Sequence, residues 1–253
     1  NLRRKNDFSG AYRDAKSARL QSTIAFDAGE NTRIQVTPYG RWNKMAFPQH
    51  FLPSDALEKN GHWSIGVQSA AYHEAGPLSF IAGFDAEYTD GFLYEFQSEP
   101  QIFSYTQGLH YDYDVKAVNA SGFMQADYAL GARTTARAAL RVDGTVYDYN
   151  NNAGAGVVGR FLRLADRTDK FVTASPKFSL RHELGEGASI YASYARGTRP
   201  PQTTDLYRLQ INQTGEQARP EKIDAAELGV RTGMGDAIKP PYRRGSGYQA
   251  CSA

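Results

Sequence analysis

With a single cysteine, Cys251, the chain can form neither an internal disulfide framework nor a cysteine metal site. The run of roughly 18 apolar residues that a helical membrane span requires is also absent, and mean hydropathy is −0.56. A helical span is therefore excluded. A β-barrel is not, because only alternate residues of its strands meet lipid. Neither sign of charge is in excess: 29 basic against 27 acidic residues leave a formal +2. That balance gives no footing for nucleic-acid electrostatics, so no nucleic-acid partner is expected. No G-K-[ST] phosphate loop and no G-x-S-x-G elbow occur. The histidines, His50, His62, His73, His110 and His182, share no ligand spacing. No catalytic residue, no metal site and no cofactor is expected from such a set, and the chain reads as a non-enzyme. Gly154-Ala155-Gly156-Val157-Val158-Gly159 does match G-x-G-x-x-G. It follows Asn150-Asn151-Asn152 on a long link rather than a buried strand, so it reads as a flexible glycine-rich loop. Asn1–Lys5 leads into polar sequence without an apolar signal core. Alternation stops after Arg231, and Ile238–Ala253 carries Pro240 and Pro241 where a strand is due. Residues 233–253 are expected to be an irregular tail, truncated or frameshifted.

What the chain does have is strand aromatics and turn residues: 16 Tyr, 13 Phe and 24 Gly. Alternating apolar/polar segments read as about nine strands: Ser17–Phe26, Arg33–Trp42, His62–His73, Leu78–Thr89, Val115–Leu130, Ala136–Tyr147, Val172–Leu184, Ala188–Arg196 and Lys222–Thr232. Tight links (Asp27–Asn31, Glu74–Pro77, Gly131–Arg133, Gly185–Gly187) alternate with long ones (Asn43–Gly61, Thr89–Asp114, Asn150–Lys170, Gly197–Glu221). Tight links force antiparallel hairpins. Putting all tight links at one end and all long ones at the other is the plan of an outer-membrane β-barrel. The fold expected is all-β: an antiparallel barrel fragment over residues 1–232, left as an open curved sheet in the outer membrane.

Strand parity sorts the faces. One face of each strand is apolar, as in Ile34, Val36 and Trp42, or Phe178 and Leu180. The other carries Arg33, Arg41, Arg137, Arg141, Lys177 and Arg181. Unpaired charge is too costly for a packed core, so this face suits a wide, wet lumen. It is expected to be concave, with the apolar face turned to lipid. The only tryptophans, Trp42 and Trp63, flank one long link on the apolar parity, which places them at the outer interface. Phe26 and Tyr128 fall near the opposite end, as does His182, an interfacial residue rather than a ligand. Pro38 and Pro176 lie within strands and are expected to mark bulges. In the long link Thr89–Asp114 stand Phe92, Tyr94, Phe96, Phe103, Tyr105, Tyr111 and Tyr113. Such a patch either contacts a ligand or packs on neighbouring loops. Asp112 and Asp114 could hold a cation, but solvated loop carboxylates explain them as well.

Pro176-Lys177-Phe178-Ser179-Leu180-Arg181, Ser189-Ile190-Tyr191-Ala192-Ser193-Tyr194-Ala195-Arg196-Gly197-Thr198-Arg199-Pro200-Pro201, Asp205-Leu206-Tyr207, Arg219-Pro220-Glu221-Lys222 and Ala226-Glu227-Leu228-Gly229-Val230-Arg231 follow one another in order. Together they resemble the barrel of a TonB-dependent outer-membrane receptor. That family shows Y-x-R-G-F-R-x-P, E-L-Y and L-x-P-E-x…E-L-G in this sequence. Thr198 stands where the family's Phe is usual, and Pro200-Pro201 replaces a less rigid pair. The motifs cover the last quarter of the chain; upstream the likeness is architectural. Such barrels have about 22 strands, so the resemblance implies an internal piece, with the plug domain, the energising segment and the closing strands outside it.

The resemblance implies energised uptake of a scarce nutrient, most often a ferric siderophore, otherwise haem, cobalamin or a glycan. The haem receptors resemble one another in a histidine between the two boxes. Here Gly197 to Glu221 has none, which lowers haem. The same stretch offers Arg199, Tyr207, Arg208, Gln210 and Gln213. Cations and aromatics suit an anionic iron chelate, so Arg199, Tyr207, Arg208 and Gln210, with Tyr94 and Tyr105, form the candidate ligand-binding set. The plainer alternative pairs Arg199 and Arg208 with nearby Asp205 or Glu216. The partners implied are outer-membrane lipid, a metal chelate, and an inner-membrane energising protein reached through a part absent from this chain. Two other functions are open: a small self-contained pore or adhesin, and an outer-membrane hydrolase. An odd strand count tells against the first. The lack of a mid-strand lumenal histidine tells against the second.

Overall fold

A computed structural model describes residues 10–185 and 187–232 of the chain. The expected tail, 233–253, and Asn1–Lys5 lie outside the described residues. The strands are β1 (Asp14–Gln21), β2 (Ile24–Asp27), β3 (Thr32–Pro48), β4 (Leu57–Ala75), β5 (Leu78–Gln97), β6 (Gly108–Ala129), β7 (Thr134–Asn151), β8 (Gly156–Val158), β9 (Phe161–Arg163), β10 (Arg167–Gly185), β11 (Ala188–Arg199), β12 (Leu209–Gln210) and β13 (Glu221–Thr232). A short helix, α1 (Thr203–Tyr207), precedes β12. Ten strands make one antiparallel sheet in the order β1-β3-β4-β5-β6-β7-β10-β11-β13, with β2 also on β3. The sheet is open, ending at β1 and β13. Sequence neighbours pair throughout, as hairpins require. The tight connections are 28–31, 76–77, 130–133 and 186–187, and the long ones 49–56, 98–107, 152–166 and 200–220. All four tight ones share one end. In the tightest, Ala75 pairs with Leu78 and Gly76 takes φ +58°, the left-handed region that a primed two-residue turn needs.

The strands run further into the long links than alternation suggested. β5 has 20 residues and β6 has 22, so most of the aromatic link Thr89–Asp114 is hairpin and the true loop is 98–107. The face pattern weakens there because both sides meet water or loops, while the backbone ladder continues regardless. From Trp63 to His73, β4 rises about 34 Å along its axis, or about 25 Å of height at the usual tilt. That matches one apolar band, and what lies above Trp63 projects out of it.

The expected bulges at Pro38 and Pro176 are corrected. Pro38 pairs in unshifted register with Val67, and Pro176 with Leu140. Each proline instead breaks the ladder on its other side. The β1 ladder stops at Tyr39 and the β2 ladder resumes at Val36. The β11 ladder begins at Lys177. A proline has no N–H to give, so one neighbour goes without. The missing donor also explains why Ser17–Phe26 is two strands rather than one.

The two faces sort by parity. Leu20, Trp42, Ile65, Phe84, Val142, Phe178 and Leu228 stand in register on one face and are 41–84% exposed. An apolar surface of this extent marks a membrane face. Arg41, Arg137, Arg141 and Arg181 share the other face, where they pair. Arg41 meets Glu87 at 2.8 Å, Arg141 meets Asp85 at 2.8 Å and Asp143 at 2.7 Å, and Arg181 meets Glu183 at 2.7 Å. Arg137 pairs with Asp127. Trp42 and Trp63 are directly opposite one another, and Tyr88 lies 5.4 Å from Trp63, forming the aromatic belt at the long-link end. Val142→Arg, at mid-height on the apolar face, is expected to cost about 2–4 kcal/mol. Gln125→Arg, beside Asp127 on the polar face, is expected to cost almost nothing. Denaturant unfolding of the barrel from lipid vesicles measures both, and equal losses would refute the facing.

Candidate functional site

The connection 200–220 determines what the long-link end presents. Pro200-Pro201 ends β11, and the Gln202 N–H donates to Asp205 Oδ2 at 3.0 Å, starting α1. This short helix turns Leu206 and Tyr207 inward, where they are 1% and 0% exposed. They land on the polar-parity face above the belt, in a cluster with Leu93, Tyr111, Tyr113, Val115, Tyr149 and Phe161. The Tyr207 ring stacks on Tyr149 at 4.4 Å, and its hydroxyl donates to Asp169 Oδ2 at 2.9 Å. Burial, then that bond to a carboxylate, pushes the Tyr207 phenol well up. Burial and the charge of Asp166 push Tyr149 up to about 12. Both rings are thus neutral packing elements at ordinary pH.

Next to Tyr207 in the chain, Arg208 enters a buried polar network. Arg208 Nη2 sits 2.9 Å from Glu58 Oε2 and 2.5 Å from Glu95 Oε2. Gln49 Nε2 donates to the same two carboxylates, at 2.7 and 3.1 Å, and Asn60 Nδ2 donates to Glu58 Oε1 at 2.7 Å. His110 Nδ1 lies 2.9 Å from Glu95 Oε1, and Nε2 lies 2.7 Å from the Thr106 carbonyl. Burial alone would raise the Glu95 carboxyl, but His110 and the charge of Arg208 outweigh it and hold it below the usual carboxylate value. Burial would likewise lower Arg208, and Glu95 with Glu58 reverses that. The network ties connection 200–220 to β4, β5 and β6.

The glycine-rich match is an ordered hairpin rather than a flexible loop. β8 and β9 pair antiparallel, and β12 adds to β9, so the connections 152–166 and 200–220 form one three-stranded sheet. Gly159, at φ +58°, is the turn. A Cβ there would come within 2.8 Å of the Ser104 carbonyl. Arg163 donates to the carbonyls of His110, Ala153 and Leu109, fastening the hairpin to β6.

The six residues expected at a ligand site are not all brought together. Arg208 is the hub of the network just described, and Tyr207 is wholly buried. Tyr105 and Gln210 meet through Arg160, whose guanidinium lies 4.5 Å above the Tyr105 ring and donates to Gln210 Oε1. Arg199 stands apart, exposed and 3.0 Å from Glu221. Tyr94 has the outward parity and stacks with Phe96, with Lys59 Nζ 5.8 Å over its ring. The pairing alternative had the right chemistry but the wrong partners: the arginines find Glu221, Glu58 and Glu95. Asp112 and Asp114 both accept from Asn152 Nδ2, at 3.4 and 2.8 Å. Glu58, Glu95, Gln49 and Arg160 escaped the sequence reading, and His110 entered it only as a histidine without ligand spacing. The one signal for Glu95 was its shared parity with Asp85 and Glu87.

The sequence profile described as TonB dependent receptor-like, beta-barrel matches residues 1–245. No curated protein matches. Among solved structures, the copper transporter OprC superposes with a TM-score of 0.71 at 14% identity, covering 89% of this chain and 38% of that one. The ferric-catecholate import receptor Fiu of E. coli K12 gives 0.64 at 14%, with 90% and 40% covered. The ferric yersiniabactin uptake receptor FyuA of Yersinia pestis gives 0.60 at 15%, with 90% and 35% covered. At such identities the likeness carries the fold alone. The chain spans about two-fifths or less of the length of these structures. By its profile match over nearly all its length, and by its open antiparallel sheet, the chain belongs to the TonB-dependent receptor family as a portion of the outer-membrane β-barrel.

Proposed function

We propose that this barrel portion serves an outer-membrane receptor for energised uptake of a scarce nutrient, and that the nutrient is a ferric siderophore. The observation carrying this reading is the makeup of the long-link rim. Arg160 and Arg208 stand within one small layer with Tyr105, Gln210 and a floor of tyrosines. Guanidinium and phenol donors around an apolar floor suit an anionic catecholate or hydroxamate chelate, as opposed to a bare cation, which wants oxygen, nitrogen or sulfur acceptors. Fiu and FyuA are named for ferric chelates and OprC for copper, so the ligand choice rests on this chemistry. Arg160, Gln210, Tyr105 and Arg208 line the contact surface, Arg199 lies at its margin, Tyr207 positions the loop, and Tyr94 faces outward. Energy coupling would run through an inner-membrane partner and parts of the receptor beyond this chain.

In the complete receptor, Arg160→Ala and Arg199→Ala should each weaken ferric-chelate binding by about 1–3 kcal/mol for each lost charge-assisted contact. Titration of purified receptor with ferric catecholate and ferric hydroxamate reads this out. Unchanged affinity in the double variant removes both arginines from the site. Haem is expected not to bind, and a Soret shift on adding it would overturn the ligand class.

A further inference from the structure

Just above the tryptophan belt, on the outward face, lysines crowd together. Lys16 of β1 and Lys44 of β3 are directly opposite in register. Lys59 of β4 is diagonal to Lys44, opposite Ala46. All three are exposed and share the face of Trp42 and Trp63. Like charges directly opposite on neighbouring strands repel, yet none of the three is in an ion pair among the described residues. Asp14, two residues before Lys16 on the same face, joins none of them. Arg41, Arg141 and Arg181 on the lumenal face, by contrast, each have a carboxylate partner. Lys116, also outward-facing, has Asp90 opposite it on one neighbour and Asp148 on the other. The three lysines thus gather where β1, β3 and β4 meet, with no acid directly opposite any of them.

We infer that Lys16, Lys44 and Lys59 form a binding site for the phosphorylated headgroup of a lipid in the membrane leaflet around the long-link end. Height fixes the occupant. The tryptophans mark the boundary of the apolar band; Lys44 and its partner Lys16 lie two residues beyond it and Lys59 four, a height that spans the headgroup level. Lysine stems run along apolar surface and deliver the ammonium to the phosphate plane. The phosphate supplies the anion that the protein withholds, and Lys59 adds an aromatic flank through Tyr94. The acyl chains then lie on the exposed face carried by Trp42, Trp63 and Ile65.

The test incubates the complete receptor, purified in detergent, with bisphosphorylated lipid A or its dephosphorylated form. Retained lipid is counted by native mass spectrometry. The wild-type receptor should keep the phosphorylated lipid at least ~10-fold better, since each lysine near an anionic lipid surface contributes measurably. The Lys16→Gln, Lys44→Gln, Lys59→Gln triple variant should lose that preference. Lys→Arg at the same positions should keep it, and Lys116→Gln should not alter it. Heat-modifiable migration reports barrel folding. Should the triple variant fail to fold, Lys44→Gln alone carries the test, with an expected loss of several-fold. Equal retention by the triple variant, equal retention of dephosphorylated lipid, or an equal loss in Lys116→Gln would each overturn the site.

Discussion

Arg208→Ala is expected to release connection 200–220 from the lumenal face, raising amide hydrogen exchange over residues 203–210 by about 100-fold. The side chain is the cation between Glu58 and Glu95, which are 6% and 3% exposed. Removing one partner of a buried pair typically costs about 3–5 kcal/mol, because the remaining charge keeps its desolvation penalty. Arg208 is itself 29% exposed, so the lower end applies. Gln49 and His110 stay on the carboxylates but bring no replacement for the guanidinium. Arg208→Lys preserves the charge and should exchange far more slowly than the alanine variant. The β3–β4 ladder below the belt should be unaffected in both. Wild-type exchange in Arg208→Ala would mean the tyrosine cluster alone holds the loop.

The same clasp should respond to acid. Glu95 has a folded-state value below its ordinary 4.5. A carboxyl so shifted contributes stability that is complete above the unfolded value and is lost as pH falls through the lowered one. Loop exchange should therefore be flat from neutrality down to about pH 5 and rise below it.

The barrel wall was legible in the sequence because its two faces meet different solvents. Lipid selects Phe84 and Val142, the lumen selects Asp85 and Arg141, and the period of two follows. The alternation of link lengths was legible for the same reason, since glycine and proline punctuate strands locally. Neither the rim nor the clasp could be read that way. Arg208 and Glu95 are 113 residues apart, and their meeting depends on strand register and on α1 turning Tyr207 inward. Nothing local separates that arginine from Arg199, which meets Glu221 across an ordinary strand pair. The extended β5–β6 hairpin was hidden because, above the membrane, ladder hydrogen bonds persist without an alternating solvent to stamp a pattern on the side chains.

Tyr207 provides the second large effect, through packing rather than charge. Its ring is wholly buried, stacked on Tyr149, and edge-on to Tyr113 at 6.3 Å. Tyr207→Ala should cost about 3–5 kcal/mol locally, the usual price of emptying a buried aromatic site. Tyr207→Phe keeps the stack and loses only the bond to Asp169. That bond to a charged acceptor is worth about 1.5–3 kcal/mol, and the lower figure is expected because Arg167 still holds the carboxylate. Limited proteolysis of the complete receptor within 203–213 orders the variants: wild type slowest, then Phe, then Ala. If ligand binding uses the rim that this loop forms, chelate affinity should fall in the same order, since a loosened loop must be re-ordered on binding. Cleavage that is equal in all three would show that Tyr207 does not hold the loop. Graded cleavage with unchanged affinity would keep the packing role and detach the loop from the ligand.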